Sequence, residues 1–260
     1  MKVTGIHPTA IIDPKAELAA DVRVGAYSII GPDVKIDSGC EIGPHVVLQG
    51  PTTIGKNNRI FQFASIGEEC QDKKYKGEPT TLVIGDGNTI REYCTFQRGT
   101  VQDKGTTIIG SNNWFMAYVH VGHDSTVGDN GVFANSVQMA GHVEVGNGVI
   151  IGALSGVHQF CKIGHYSMAG GGSIITKDIP AFVMVNGNPA AAHGMNYEGM
   201  RRRGWSPETI NTLKKAYKVV YREGLTVEKA LEELDALATG CPEVKLFADS
   251  IRASTRGITR

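Results

Sequence analysis

Residues 23–48 read RVGAYSIIGPDVKIDSGCEIGPHVVL, and every sixth residue from Val24 onward is apolar. Glycine follows the apolar residue three times, at Gly25, Gly31 and Gly43. A period of six matches neither the 3.6 residues per turn of an α-helix nor the 3.5 of a coiled coil, which excludes helices here. It predicts one short strand and one tight turn per six residues, with the apolar side chain facing inward.

The same phase continues on both sides of this stretch. It runs unbroken from Ile6 to Ile66, returns briefly between residues 84 and 96, and resumes from Ile109 to Ile175. Three hexads would close one triangular coil of about 18 residues, and coils would stack at the ~4.8 Å spacing between strands. Residues 6–180 therefore predict a prism of about nine coils, ~45 Å long.

The composition excludes several classes of protein. Glycine accounts for 33 of 260 residues, without the three-residue period of collagen. The 26 basic and 26 acidic residues balance, which argues against nucleic-acid binding through overall charge. No apolar run approaches the ~18–20 residues of a membrane span, and the N-terminus lacks the pattern of a secretory signal. Five scattered cysteines without CxxC spacing predict a reduced, cytoplasmic protein.

The hexad disappears beyond about residue 189, so we expect two domains, 1–188 and 189–260. Ser206 before Pro207 is typical of a helix start, and a second helix is expected after Thr226. A third apolar stripe ends at Ile251, so the C-terminal domain is predicted to be helical. Residues 201–222 carry seven basic side chains against one acidic one. This face is either a solvated helix surface or a docking site for an acidic partner or a phosphorylated substrate.

The longest interruption of the repeat is residues 67–83, GEECQDKKYKGEPTTLV. We expect it to leave the prism at one corner and to arch over the outer wall. Long loops on a rigid scaffold often carry function, so Gln71, Asp72 and Lys74 are candidate site residues. Plain solvent exposure is the alternative interpretation.

Histidines are concentrated in a second region, because four of the eight lie between residues 120 and 158. Steps of one coil place His123, Gly141 and Gln159 in one column on the outer wall, with His142 and His158 at its edge, while His120 and His123 flank one corner. Histidine suits general-base catalysis at neutral pH, and a glycine N–H can stabilise an oxyanion. No GxSxG or GxxxxGK[ST] motif is present. Zinc binding is the rival use of clustered imidazoles.

Several strings carry a more specific resemblance: QDKKYKGEPT (71–80), HVGHD (120–124), AGHV (140–143), VHQFC (157–161), GMRRRG (199–204) and STRGITR (254–260). Together they resemble the UDP-N-acetylglucosamine O-acyltransferases, which belong to the hexapeptide-repeat acyltransferases. The resemblance covers essentially the whole chain. It implies a left-handed parallel β-helix, whereas the general rule for parallel crossovers would predict a right-handed coil.

The resemblance also implies an activity. It implies transfer of an (R)-3-hydroxyacyl group from acyl carrier protein to the 3-hydroxyl of UDP-N-acetylglucosamine, the first step of lipid A biosynthesis. His123 would be the general base, Asp124 its orienting partner and Gly141 N–H the oxyanion donor. No metal or cofactor is expected beyond the phosphopantetheine of the carrier protein, and the family is a homotrimer. The positions expected to contact substrate are Gln71, Asp72, Lys74, His120, His142, His158, Gln159, Gly171, Asn196, Glu198, Arg202 and Arg203.

Two segments depart from the family pattern. Gln97 stands where an IHRGT-like string has histidine, and residues 133–140, FANSVQMA, differ from an asparagine-rich LANNATLA-like string. Either departure is compatible with a different acceptor, such as an amino sugar nucleotide. Gly171 aligns with the position that limits acyl length in the family, so a groove open to a longer chain is expected, although Met168 is a neighbour that could fill it.

Two further functions use the same kind of scaffold. A γ-type carbonic anhydrase holds zinc with three histidines between subunits, but the His-x2-His spacing and the acyltransferase strings argue against it. A purely structural role would leave the combination of His123, Asp124 and Gly141 unexplained.

Overall fold

In the computed structural model, which describes residues 5–260, the chain winds through three sheets built almost entirely from parallel strands. The strands in chain order are β1 (Ile11–Ile12), β2 (Glu17–Leu18), β3 (Arg23–Val24), β4 (Ile29–Ile30), β5 (Val34–Ile36), β6 (Glu41–Ile42), β7 (Val47–Leu48), β8 (Thr52–Ile54), β9 (Arg59–Ile60), β10 (Ser65–Glu68), β11 (Thr81–Ile84), β12 (Thr89–Ile90), β13 (Thr95–Gln97), β14 (Thr106–Ile109), β15 (Trp114–Phe115), β16 (His120–Val121), β17 (Thr126–Val127), β18 (Val132–Phe133), β19 (Gln138–Met139), β20 (Glu144–Val145), β21 (Ile150–Ile151), β22 (Gly156–Val157), β23 (Lys162–Ile163), β24 (Met168–Ala169), β25 (Ile174–Ile175), β26 (Val183–Asn186) and β27 (Ala191–Met195).

Successive strands enter the first, second and third sheet in turn. The first sheet runs from β1 to β25, the second from β2 to β23, and the third from β3 to β26 with β27 added antiparallel at its end. Most neighbouring strands are 18 residues apart, as in the pairing of Val121 with Met139 and of Met139 with Val157. The predicted left-handed parallel β-helix is confirmed.

The core is the column of hexad residues inside the prism. Val24, Leu48, Val121 and Ile151 are completely buried, as the repeat predicts. Burying each such side chain stabilises the fold by about 1.5–3 kcal/mol relative to leaving it exposed. Ile6 is 52% exposed because it lies at one end of the stack, where no strand among residues 5–260 covers it from below.

The turns between the sheets form three corners, each with residues in the left-handed backbone conformation. The histidine corner, between the first and second sheets, includes Asp124, His142 and Phe160. The asparagine corner, between the second and third sheets, includes Asn57, Asn112 and Asn130. The aromatic corner, between the third and first sheets, includes the stacked and exposed rings of Tyr27, Phe63, Tyr93 and Tyr118.

Four helices follow the prism: α1 (Tyr197–Arg202), α2 (Pro207–Tyr221), α3 (Val227–Ala238) and α4 (Pro242–Arg252). The predicted starts of two of them are confirmed, because Ser206 accepts a hydrogen bond from Thr209 N and Thr226 accepts one from Lys229 N. The short helix α1 was not predicted. No helix among residues 5–260 is long and apolar enough to span a membrane.

Hydrogen bonds to Asp178 hold the segment after α4 against the last coil of the prism. Its buried carboxylate accepts hydrogen bonds from the hydroxyl of Ser254 at 2.7 Å and from the backbone N–H groups of Thr255 and Arg256. It also accepts a hydrogen bond from the N–H of Lys162 at 2.7 Å. The C-terminal segment is therefore held against the histidine corner.

Candidate active site

His123 and Asp124 lie on the histidine corner between β16 and β17. Asp124 adopts a φ of 57°, which turns the chain sharply and sends its side chain inward, where it is completely buried. Nδ1 of His123 lies 2.9 Å from Oδ2 of Asp124. When the carboxylate is ionised, Nδ1 carries the proton and Nε2 is free to accept one, which is the form a general base requires.

The buried carboxylate of Asp124 is held by Thr100, a residue that the sequence did not single out. The hydroxyl of Thr100 donates to Oδ2 at 2.6 Å, and its N–H lies 3.0 Å from both oxygens. Burial acts to raise the pKa of Asp124, but hydrogen bonds from His123 and Thr100 outweigh it and hold the pKa below its usual value. Asp124 therefore stays ionised at neutral pH and orients His123.

Gly141 lies one coil above His123, as the repeat predicts. A Cβ on Gly141 would lie 2.6 Å from Nε2 of His123, so only glycine leaves room for the imidazole. His142 N, the next amide, donates to the carbonyl of His123 at 2.9 Å and locks the two coils together. The buried Gly141 backbone thus lies directly beside the nitrogen that would take the proton.

His142 forms a second imidazole–carboxylate pair on the same corner. Its Nδ1 lies 2.6 Å from Oδ2 of Asp103, and its ring stacks on Phe160 at 4.4 Å between centroids. The ring of His123 meets it edge-on at 4.8 Å. Asp103 and Phe160 were not predicted as site residues.

These side chains line a cleft of about 510 Å³ at the histidine corner. Of the predicted residues, the cleft brings together Asp72, Lys74, His123 and His142. The excursion that supplies Asp72 and Lys74 is irregular only between residues 69 and 80, because β10 and β11 extend into the predicted range of 67–83. The residues that sequence reasoning missed are Thr100, Gln102, Asp103, Lys104, Glu144, Phe160, Lys162 and Thr255.

Four other predicted residues lie near this cleft but do not line it. Gln71 is exposed in the excursion, and His158 and Gln159 are exposed one coil above His142. His120 is partly buried on β16, with Nδ1 2.8 Å from Oγ1 of Thr95. Burial and the neighbouring His123 lower the pKa of His120, so its ring is neutral at neutral pH.

A second group of predicted residues lies around the asparagine corner. Asn196 is buried, accepts from Gly199 N as the N-cap of α1 and donates to the carbonyl of Tyr166. Arg203 donates to the carbonyl of Gly148 at 3.0 Å, and its guanidinium lies over the ring of Tyr166. Glu198 pairs on the exposed surface with Arg202 at 3.2 Å. Within one chain these residues do not join the cleft of His123.

Gly171 lies on the aromatic corner, exposed, next to Leu154, which is 72% exposed. A Cβ at Gly171 would lie 3.3 Å from the carbonyl oxygen of Ala153, a tight approach that needs a shift of a few tenths of an ångström, and it would meet no side chain within 4 Å. Gln97 is 4% exposed at the end of β13. Its side chain is therefore buried rather than presented to the cleft.

Among the described residues, one group of three side chains in this cleft could approach a metal ion. His123, Asp124 and His142 bring potential ligand atoms within 4.8 Å of one another. The Asp124 carboxylate, however, is buried and already bonded to Thr100 and His123. A structural zinc site uses four ligands and a catalytic one three, so the described residues fit a metal poorly.

Comparison with known proteins gives one consistent family. The C-terminal residues 178–259 match the model described as "Udp N-acetylglucosamine O-acyltransferase; Domain 2", and residues 106–141 match the bacterial transferase hexapeptide model. The acyl-[acyl-carrier-protein]–UDP-N-acetylglucosamine O-acyltransferase of Stutzerimonas stutzeri is 59% identical over 98% of this chain and 99% of the relative. That of Ectopseudomonas mendocina is 60% identical over 99% of this chain and all of the relative.

Solved structures give the same result. The UDP-N-acetylglucosamine O-acyltransferase from Moraxella catarrhalis superposes with a TM-score of 0.97 at 54% identity, covering 98% of this chain and 99% of that one. The UDP-N-acetylglucosamine acyltransferase from Arabidopsis superposes with a TM-score of 0.85 at 34% identity, covering 98% of this chain and all of that one. The similarity therefore spans both the prism and the helices.

Proposed function

The chain belongs to the UDP-N-acetylglucosamine O-acyltransferase family, and we propose that it transfers an (R)-3-hydroxyacyl group from acyl carrier protein to the 3-hydroxyl of UDP-N-acetylglucosamine. This reaction is the first step of lipid A biosynthesis. The observation that carries the proposal is the His123–Asp124 pair beside Gly141, inside a full-length match to enzymes of that name. The same match sets aside the carbonic anhydrase and the purely structural alternatives.

In the proposed mechanism, Nε2 of His123 takes the proton of the sugar 3-hydroxyl while the oxygen attacks the thioester carbonyl. The carbonyl oxygen becomes an oxyanion, which the N–H of Gly141, beside the His123 ring, would stabilise. When the tetrahedral intermediate collapses, the C–S bond breaks and the phosphopantetheine sulfur leaves. The sulfur then takes the proton from His123, which restores the base. Asp124 stays anionic throughout and stabilises the imidazolium.

The two groups of binding residues argue for a site shared between copies of the chain. His123 and His142 lie on the histidine corner, whereas Asn196 and Arg203 lie at the asparagine corner, across the second sheet. One substrate can contact both groups if the asparagine corner of a second copy closes the cleft of the first. A cyclic homotrimer provides three such shared sites, which is the assembly we propose.

The helical domain is the proposed contact for acyl carrier protein, which is acidic. Its basic side chains Arg201, Arg202, Lys214, Lys215 and Lys218 are exposed, and charge complementarity of this kind speeds association. The carrier brings its own phosphopantetheine, so we propose that the enzyme needs no further cofactor. All five cysteines are buried free thiols, which fits the reducing cytoplasm as the proposed compartment.

A transfer assay tests the proposal directly. Purified protein would be incubated with UDP-N-acetylglucosamine and 3-hydroxyacyl carrier proteins of increasing chain length, and products identified by mass. The proposal predicts a monoacylated sugar nucleotide whose acyl group is removed by mild base, as an ester is. A base-stable product formed only with a 3-amino sugar nucleotide would identify amide formation and favour the alternative acceptor, for which Gln97 and residues 133–140 would be the first residues to exchange.

A further inference from the structure

The segment 98–105 interrupts the repeat immediately below the coil that carries His123 and Asp124. It leaves the first sheet at β13 and rejoins the second at β14, so it lies on the histidine corner, one coil below Asp124. Its start is fixed by Arg98, which is 6% exposed and donates to the carbonyl of Gly67 at 2.6 Å and to the hydroxyl of Tyr75 at 3.0 Å. The segment is thus anchored to both the prism and the first excursion.

This anchored segment reaches upward to both histidines of the cleft. Thr100 binds the carboxylate of Asp124, the partner of His123, and Asp103 lies 2.6 Å from Nδ1 of His142, two coils above its own. The His142 ring is also fixed on two further sides, by the face of Phe160 and the edge of His123. Only 14% of the His142 side chain is exposed, and its free ring nitrogen is Nε2.

Among the described residues, none of the lysines that line the cleft forms an ion pair with Asp103. Lys104 and Lys162 both approach the carboxylate of Glu144 across the second sheet, at 3.8 and 3.6 Å. The carboxylate of Asp103 is the acidic group paired with His142. A carboxylate on Nδ1 keeps the proton there, sets the ring orientation and makes the imidazole a better partner for a ligand at Nε2.

We propose that Asp103 is a positioning residue for the transfer reaction, which holds Nε2 of His142 toward the sugar beside the hydroxyl that His123 deprotonates. The proposal rests on the proposed function, because it places the sugar against His123. The ring centroids of the two histidines are 4.8 Å apart, a distance that one pyranose ring can bridge with neighbouring hydroxyls. Asp103 would therefore act on sugar binding more than on the chemical step.

The test is Asp103→Asn, which keeps the size of the side chain but removes its charge. Losing a charged hydrogen bond to His142 should raise the KM for UDP-N-acetylglucosamine about tenfold, with kcat and the KM for the acyl donor within about threefold of wild type. Val101→Thr, an exposed position in the same segment, is the matched control and should change neither constant. Asp103→Ser provides a second removal of the carboxylate.

A double-mutant cycle shows whether Asp103 acts through His142. In a His142→Gln background, Asp103→Asn should have almost no further effect on the KM for the sugar nucleotide. An unchanged KM in Asp103→Asn, or an equal increase with and without His142, would overturn the proposal. Calorimetric binding of UDP-N-acetylglucosamine separates this failure from a failure of the proposed function. A wild-type protein that binds the sugar nucleotide but transfers no acyl group refutes the proposed function. In that case the loss of binding in Asp103→Asn still decides the role of Asp103.

Discussion

The hydroxyl of Thr100 lies 2.6 Å from Oδ2 of Asp124, the same oxygen that lies 2.9 Å from Nδ1 of His123. One carboxylate oxygen, completely buried, thus joins a residue of the interrupting segment to the proposed base. An ionised carboxylate in such a place is stable only when hydrogen-bond donors compensate for its lost hydration. Thr100 supplies two of these donors, so the ionised state of the carboxylate beside His123 depends on a residue outside its own coil.

Thr100→Val should therefore weaken catalysis without unfolding the protein. Removing a hydrogen bond to a buried charge is expected to lower kcat/KM by about tenfold to a hundredfold. It also removes one of the interactions that lower the pKa of Asp124, so the carboxylate takes up a proton at higher pH and the acid-side loss of activity moves to higher pH. A pH–rate profile checks both effects. Thr100→Ser, which keeps the hydroxyl, should retain the kcat/KM and the pH–rate profile of wild type. A wild-type profile in Thr100→Val would refute the role of the Thr100 hydroxyl.

Gly141→Ala tests the close approach of two coils at the base. The added methyl would lie 2.6 Å from Nε2 of His123, and no real Cβ tolerates that distance. The imidazole must move, and we expect a loss of kcat of at least about a hundredfold, since small displacements of a catalytic group cost this much. Gly240→Ala is the control, because a Cβ there meets nothing within 4 Å. Equal activity in the two variants would show that His123 and Gly141 do not need this geometry.

The hexad repeat is sufficient to predict the prism and the position of Gly141 directly above His123. Because each coil repeats after 18 residues, counting along the chain is enough to place Gly141 one coil above His123. Ser206 and Thr226 likewise indicate two helix starts, since capping depends on neighbours in sequence.

Contacts made by the interruptions cannot be predicted in this way. The pairings of Thr100 with Asp124 and Asp103 with His142 join residues 24 and 39 positions apart through a segment without a repeat. A periodic pattern fixes which side chains face the core, but not the path of a loop between two coils. The break in phase is the only signal in the sequence, and it gives the position of the segment without its contacts.

Gly171→Met tests the length of the acyl groove. Gly171 has ordinary backbone angles, and a Cβ there would be close only to the backbone of Ala153, at 3.3 Å, so methionine should be accommodated after a small local shift and without unfolding. If the acyl chain passes this corner, the added side chain should shift the optimum among 3-hydroxyacyl donors to shorter chains. The kcat/KM measured across a donor series checks this prediction. An unchanged optimum, at unchanged stability, would place the end of the groove elsewhere.

The partly buried ring of His165 is expected to make the folded protein less stable in acid. Burial lowers its pKa, and Nδ1 accepts the N–H of Asn147 at 2.9 Å, so the folded protein favours the neutral ring. In the unfolded chain the pKa of His165 returns to about 6.5, so below that pH unfolding takes up a proton. The contribution of the neutral, partly buried His165 ring to stability is therefore full above that pH and is lost as the pH falls below it. His165→Gln should therefore make the fall in Tm between pH 7 and 5 less steep, at fixed protein concentration. The exposed His193→Gln is the control, and equal slopes in both variants would refute the prediction.

The most direct test of the catalytic account is the turnover of His123→Ala in the transfer assay. Removal of a general base should lower kcat by about 10²–10⁴-fold, while the circular dichroism spectrum and the mass of the assembly stay those of wild type. That result would establish His123 as the group that activates the sugar hydroxyl. Turnover within about threefold of wild type would contradict the account, because neither Asp124 nor Gly141 could then act as described.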